Sequence, residues 1–267
     1  MNDDQPQARS EPPSGRARLL SAAIGFYSRL PVRNAAAAPE LGRIAPVLSV
    51  AGLVIGAGPA LLLALGVLFG IPALFASCMA LVAWVIVTGA MAEDGLADAM
   101  DGLFGASTAE RRLEILKDPH HGTYGVSALV LSFLLRASAL AALAFASPVA
   151  GALCWLGITV ASRSFALWLP ATMRPARADG AAAAAGTVTM PKFVAGAALA
   201  ALVFGATVLP VAGPAGAAAA LGVMALTILG WRALCHLLVG GYTGDLIGGG
   251  QLLLEIACLS FFMVWVG

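Results

Sequence analysis

Charge is scarce in this 267-residue chain, where 11% of residues are charged, 60% are hydrophobic and mean hydropathy is +0.91. A sequence so poor in charge cannot hide its apolar surface in one soluble core, which points to an integral membrane protein. The net charge of +1 is carried by dispersed basic residues and offers no field for nucleic acid, so a nucleic-acid binder is excluded. Cysteine supplies no metal framework either. Cys78, Cys154, Cys235 and Cys258 stand far apart in apolar stretches, without a CxxC pair or a Cys/His spacing, and read as packing residues. The polar, Pro-rich segment through Pro13 is not followed by an apolar run with a small-residue cleavage site, so no cleaved signal peptide is expected.

Apolar runs of membrane-spanning length fall at roughly residues 44–69, 71–91, 123–147, 148–169, 193–211, 215–239 and 251–266, by the criterion of about 20 residues. Breakers at Gly70-Ile71-Pro72, Ser147-Pro148 and Pro210 to Pro214 join adjacent runs into three hairpins, followed by a final helix. The expected fold is an all-α polytopic helical bundle with about seven transmembrane helices. Residues 1–43 form a leader in which Arg16 to Leu30 either lies along the interface as an amphipathic helix or is solvated, and residues 44–267 form a single transmembrane domain. Small residues, as in Ala182 to Gly186 and Ala215 to Ala220, permit close helix contact.

Arg9, Arg16, Arg18, Arg29, Arg33 and Arg43 precede the first run. Arg111, Arg112 and Lys117 lie in the second connection, and Arg174, Arg177 and Lys192 in the fourth; the hairpin turns carry no Lys or Arg. The positive-inside rule therefore places the N-terminus and the long connections in the cytoplasm, where the acidic window, the 170–192 loop and the Gly240 to Gly250 loop converge. Arg136, Arg163 and Arg232 lie inside apolar runs and must face the bundle interior, an interface or a bound anion.

Seven of the fourteen acidic residues occupy the 26 positions from Glu93 to Asp118. In a helix continued from the second run, Asp94, Asp98 and Asp101 fall at i, i+4 and i+7 on one face. Glu110, Glu114 and Asp118 repeat the pattern on the next helix, so two facing carboxylate ridges would hold one or two hard divalent cations such as Mg²⁺. Gly102 and Gly105 between them allow a sharp turn or a close approach of backbone to phosphate. Glu93 and Glu110 read instead as solvated acids, near Arg111, Arg112 and Lys117. No such cation lies between Gly70 and Glu110 to neutralise the three aspartates. The segment Asp98-x2-Asp101-Gly102 with a second acidic i, i+4 pair resembles the CDP-alcohol phosphotransferases, but Ala106 stands where that pattern has Arg and the connection is shorter.

A longer match is more specific. Thr88 through Gly102, Arg112 through Asp118, Gly122-Thr123-Tyr124-Gly125, Phe26 through Val32 and Gly240-Gly241-Tyr242-Thr243-Gly244-Asp245 together closely resemble the cobalamin synthases, also called adenosylcobinamide-GDP ribazoletransferases. These segments run in order over nearly the whole chain. The resemblance implies a membrane transferase of the last steps of vitamin B12 assembly, in which a ribose hydroxyl attacks phosphorus and GMP leaves. It also implies Mg²⁺ as the metal. The partners so implied are adenosylcobinamide-GDP, α-ribazole or its 5'-phosphate, and the lipid bilayer of the cell's inner membrane, with a homo-oligomer left open.

Carried onto this sequence, the resemblance gives Asp94, Asp98, Asp101, Glu114 and Asp118 as metal ligands, with Glu114 or Asp118 as general base, since spacing does not choose between them. Lys117, Arg163, Thr243, Gly244 and Asp245 are the expected substrate contacts. Many members have His at the place of Ala92 and Arg at that of His120, departures that leave the aspartates untouched; His121 and His236 read as structural. Alternatives are a CDP-alcohol phosphotransferase, an aspartate-rich prenyltransferase, whose usual Asn-Asp-x2-Asp arrangement this chain lacks, and a cation transporter. Against the transporter, the acids cluster at one boundary rather than at the bilayer midplane.

Overall fold

A computed structural model describes residues 15–32, 39–177, 182 and 185–266. Parts of the expected leader, including Arg9 and Arg33, lie outside the described residues, as do positions 183 and 184 of the small-residue stretch. The regular structure among the described residues is helical, apart from an isolated bridge between Pro175 and Tyr242. All seven expected apolar runs lie in helices: α2 (Leu48–Leu68), α3 (Ala73–Thr88), α6 (Thr123–Ala146), α7 (Pro148–Phe165), α8 (Met190–Val239) and α9 (Gly244–Val266) carry them. The chain is a polytopic membrane protein.

Two of these runs share α8. Its 50 residues would extend about 75 Å, more than twice the roughly 30 Å hydrocarbon thickness of a bilayer. Gly213, at φ 68° and ψ 178°, breaks the helix between Pro210 and Pro214. Phe193 and Ala197 from the first half line the same cleft as Leu221, Ala225 and Leu229 from the second, so the halves lie side by side.

The most deeply buried helix is α7, packed against α2, α8, α9 and α6. Its neighbours approach closely through small residues. A Cβ added at Gly52 of α2 would lie 3.1 Å from the Val160 side chain, and one at Gly56 would lie 2.8 Å from Leu156. On the outside, Leu61, Leu134, Leu202, Leu226 and Leu237 are exposed, as expected of side chains that face acyl chains rather than water.

Helix α1 (Gly15–Tyr27) precedes the bundle and packs on α2, with Ala22, Ala23, Ile24 and Tyr27 buried. Between α3 and α6 stand two shorter helices, α4 (Met91–Phe104) and α5 (Ala109–Ile115). The structure corrects two expectations here. The acidic segment does not continue the second run: Gly89 (φ 66°) and Ala90 (φ 59°) turn the chain left-handed, and α4 leaves α3 at 89°. The Gly240 to Gly250 segment is not a long loop, because α9 already begins at Gly244 and packing overrides the poor helix propensity of its glycines.

Candidate metal and phosphate site

Helix α4 carries Asp94 and Asp98 one turn apart, so both carboxylates point to one side. His121, from the segment before α6, reaches the same place. Its Nδ1 lies 3.4 Å from Asp98 Oδ1 and its Nε2 lies 3.9 Å from Asp94 Oδ1. One ligand atom from each residue lies within 4.8 Å of the other two. Two carboxylate oxygens and an imidazole nitrogen form a donor set that suits a divalent cation, and without one the paired carboxylates repel each other. His121, expected from the sequence to be structural, completes the cluster.

A glycine crossing positions this cluster. A Cβ at Gly95 would lie 3.0 Å from the Asp245 carbonyl oxygen and 3.2 Å from the Gly248 Cα, so only glycine lets α4 meet the start of α9 at this distance. Asp245 is thereby held beside Asp94 and Asp98. Thr243 caps α9: its hydroxyl accepts from the Leu246 amide at 3.3 Å and donates to Asp245 Oδ2 at 3.2 Å.

The other expected ligands go elsewhere. Asp101 is buried, and its two oxygens accept from the Gly122 amide at 2.6 Å and the Gly125 amide at 2.9 Å. It caps the start of α6 from across the fold and satisfies amides that the helix itself leaves unpaired. Gly122 and Gly125 are needed because a Cβ at either would collide with the Asp101 carboxylate. Glu114 is exposed and pairs with Arg111 at 2.6 Å. Asp118 is exposed and accepts from the His120 amide at 3.0 Å and the His120 ring at 2.8 Å, which hold its carboxyl below the usual aspartate range.

The structure therefore does not form two facing ridges. Gly102 lies under Leu116 of the α5 end rather than facing a ligand, and Lys117 is exposed at that end.

Glu93 also departs from expectation. It is 3% exposed and accepts from Arg136 Nη1 at 2.9 Å, while Arg136 Nε stands 3.6 Å from Glu255 Oε1. Trp155 donates to that same Glu255 oxygen at 3.0 Å. Spacing gave no signal for Glu255, which sits alone in the last apolar run. Arg232 donates to the Thr172 hydroxyl at 2.9 Å.

A cavity of about 270 Å³ opens beside the cluster. Asp94, Asp245 and Gly244 line it together with Arg163, Gln251 and the aromatic residues Phe26, Tyr27 and Trp84. The Phe26-Tyr27 segment at the end of α1 is thus part of the site. The acidic window, residues 174–177 and the Gly240 to Asp245 segment meet as expected. Arg177 Nη1 donates to the Leu113 carbonyl at 3.1 Å, and the Tyr242 amide donates to the Arg174 carbonyl at 3.1 Å.

Fold and site together define a polytopic membrane protein with a carboxylate–imidazole cluster at the edge of an internal cavity. The profile of the family described as Cobalamin-5-phosphate synthase matches residues 19–263, and the chain belongs to that family. A relative from Azorhizobium caulinodans, named adenosylcobinamide-GDP ribazoletransferase, is 40% identical over 252 residues, covering 92% of this chain and 95% of its own. Relatives with the same name from Xanthobacter autotrophicus (39% identical over 258 residues, 94% and 97% covered) and Rhizobium johnstonii (38% over 243 residues, 89% and 93%) are also similar to the chain. No solved structure matches it.

Proposed function

We propose that this chain is an adenosylcobinamide-GDP ribazoletransferase that joins adenosylcobinamide-GDP to α-ribazole, or its 5'-phosphate, and releases GMP. The convergence of Asp94, Asp98 and His121 beside the cavity carries this reading, and the relatives' shared name supports it. Asp94, Asp98 and His121 would hold Mg²⁺, whose chemistry when bound is to neutralise charge on the transferred diphosphate. Asp245 lines the same cavity and accepts from Thr243, a position suited to take the proton of the attacking ribose hydroxyl. Glu114 and Asp118, the expected candidates for that role, do not line it. As the P–O bond to ribose forms, the bond to GMP breaks and its electron pair leaves with GMP.

The distribution of Lys and Arg supports a site on the cytoplasmic side of the inner membrane. The test is GMP release from adenosylcobinamide-GDP by purified protein in Mg²⁺. Asp98→Asn is expected to lower it on the order of 100-fold or more. Undiminished release would show that the cluster is not the metal site.

A further inference from the structure

Two arginines and two glutamates, Arg136, Arg163, Glu93 and Glu255, lie inside the bundle with no more than 3% exposure each. Their pairing is lopsided. Arg136 takes Glu93 at 2.9 Å and stands 3.6 Å from Glu255. Arg163 makes no ion pair among the described residues, and its Nε and Nη1 have no hydrogen-bond partner. Its guanidinium carbon sits over the rings of Tyr27 at 5.2 Å and Trp84 at 5.5 Å, which hold the charge in place without accepting a hydrogen bond. An unpaired buried guanidinium is costly, and Arg163 borders the cavity that also contains Asp94 and Asp245. The planar N–H fork of an arginine matches phosphate oxygens.

We propose that Arg163, held by Tyr27 and Trp84, binds a phosphate group of an organic phosphate ester at a second anion point in this cavity, one that does not require the metal. The chemistry is shared by two sources: the diphosphate of the nucleotide-activated donor and the 5'-phosphate of the acceptor. The mostly apolar wall around Arg163 suits an ester with an organic body. Only the assignment of the source rests on the transferase reading.

The test uses inorganic pyrophosphate as probe on the full-length protein in detergent with EDTA, so that the carboxylate cluster has no cation through which to bind it. Pyrophosphate is expected to raise the apparent Tm of the wild type and of Asp98→Asn, and Arg163→Gln is expected to weaken its binding by about tenfold or more. Without pyrophosphate, Arg163→Gln should melt at or above the wild-type temperature, because an unpaired buried charge has been removed. A structural arginine would give the opposite shift, and that result overturns the proposal. So does unchanged pyrophosphate binding in Arg163→Gln.

Arg163→Lys keeps the charge and loses the fork, which covers the case in which the glutamine variant does not fold. Its binding should be weaker than wild type by several fold, and equal binding overturns the proposal. In turnover, a raised KM of Arg163→Lys for the phosphorylated acceptor, with none for unphosphorylated α-ribazole, assigns Arg163 to the acceptor. A raised KM for the donor assigns it there, and no change for either counts against the site. Wild-type protein that binds pyrophosphate but turns over neither substrate would refute the transferase reading and leave the anion site standing.

Discussion

Arg136 donates from Nη1 to Glu93 Oε1 at 2.9 Å, with neither side chain more than 4% exposed. The next residue, Asp94, about 100° further round α4, turns a 65% exposed carboxylate away from that pair. Two consecutive acids thus have opposite tasks. Glu93 ties α4 to α6, and through Arg136 to Glu255 on α9, while Asp94 faces the cluster. The network fixes the helix from which the cluster projects.

Removing one member of that network leaves buried charges without compensation. Arg136→Met is expected to cost about 3–5 kcal/mol, read as a lower apparent Tm in detergent. Combining it with Glu93→Gln and Glu255→Gln should recover most of the loss.

Asp101→Asn keeps the shape of the side chain but removes the charge that the Gly122 and Gly125 amides share at the start of α6. The expected cost is about 1–3 kcal/mol. Because His121 immediately precedes Gly122, divalent-cation affinity should fall as well, which Mn²⁺ titration followed by electron paramagnetic resonance would detect.

His121→Ala is expected to weaken Mn²⁺ binding by at least about tenfold. Asp118→Asn, which alters only an exposed pair with His120, should change it no more than about twofold. Equal effects from the two substitutions would show that the cluster is not centred on His121.

The pair formed by Asp118 and His120 has a defined pH response. Since the Asp118 carboxyl titrates below the ordinary aspartate value, its contribution is fully present above that value and disappears as pH falls through the lowered one. The amide proton chemical shift of His120 should stay constant from neutral pH down through the ordinary aspartate range and move only as the pH falls through the lowered value.

Gly95 and Gly248 face each other but differ in tolerance. A Cβ at Gly95 meets α9 backbone at 3.0 Å, whereas one at Gly248 finds its nearest neighbour at 3.4 Å. Gly95→Ala should therefore destabilise by about 1–3 kcal/mol and reduce turnover, and Gly248→Ala should be nearly neutral in both assays.

Much of the bundle was legible because membrane helices advertise themselves by length and hydropathy. The seven runs, the hairpin breakers and the placement of Asp94 beside Asp98 all follow from period and composition. Pairings across long sequence separations were not legible. Nothing local shows that Arg136 meets Glu93 across 43 residues, or that Arg163 beside them has no ion pair among the described residues. Asp101 shares the helix face expected for it but spends its oxygens on backbone amides, a choice made by the chain segment that happens to pass it. The Gly122 to Gly125 motif stands out in the sequence only by family likeness, and the Asp101 carboxylate supplies its physical reason.

The corner at Gly89 and Ala90 has a consequence for traffic. Because α4 leaves α3 at 89°, Asp94 and Asp98 are carried off the apolar line of α3 to the crossing with α9, so the corner decides where an arriving cation or phosphate would meet the cluster.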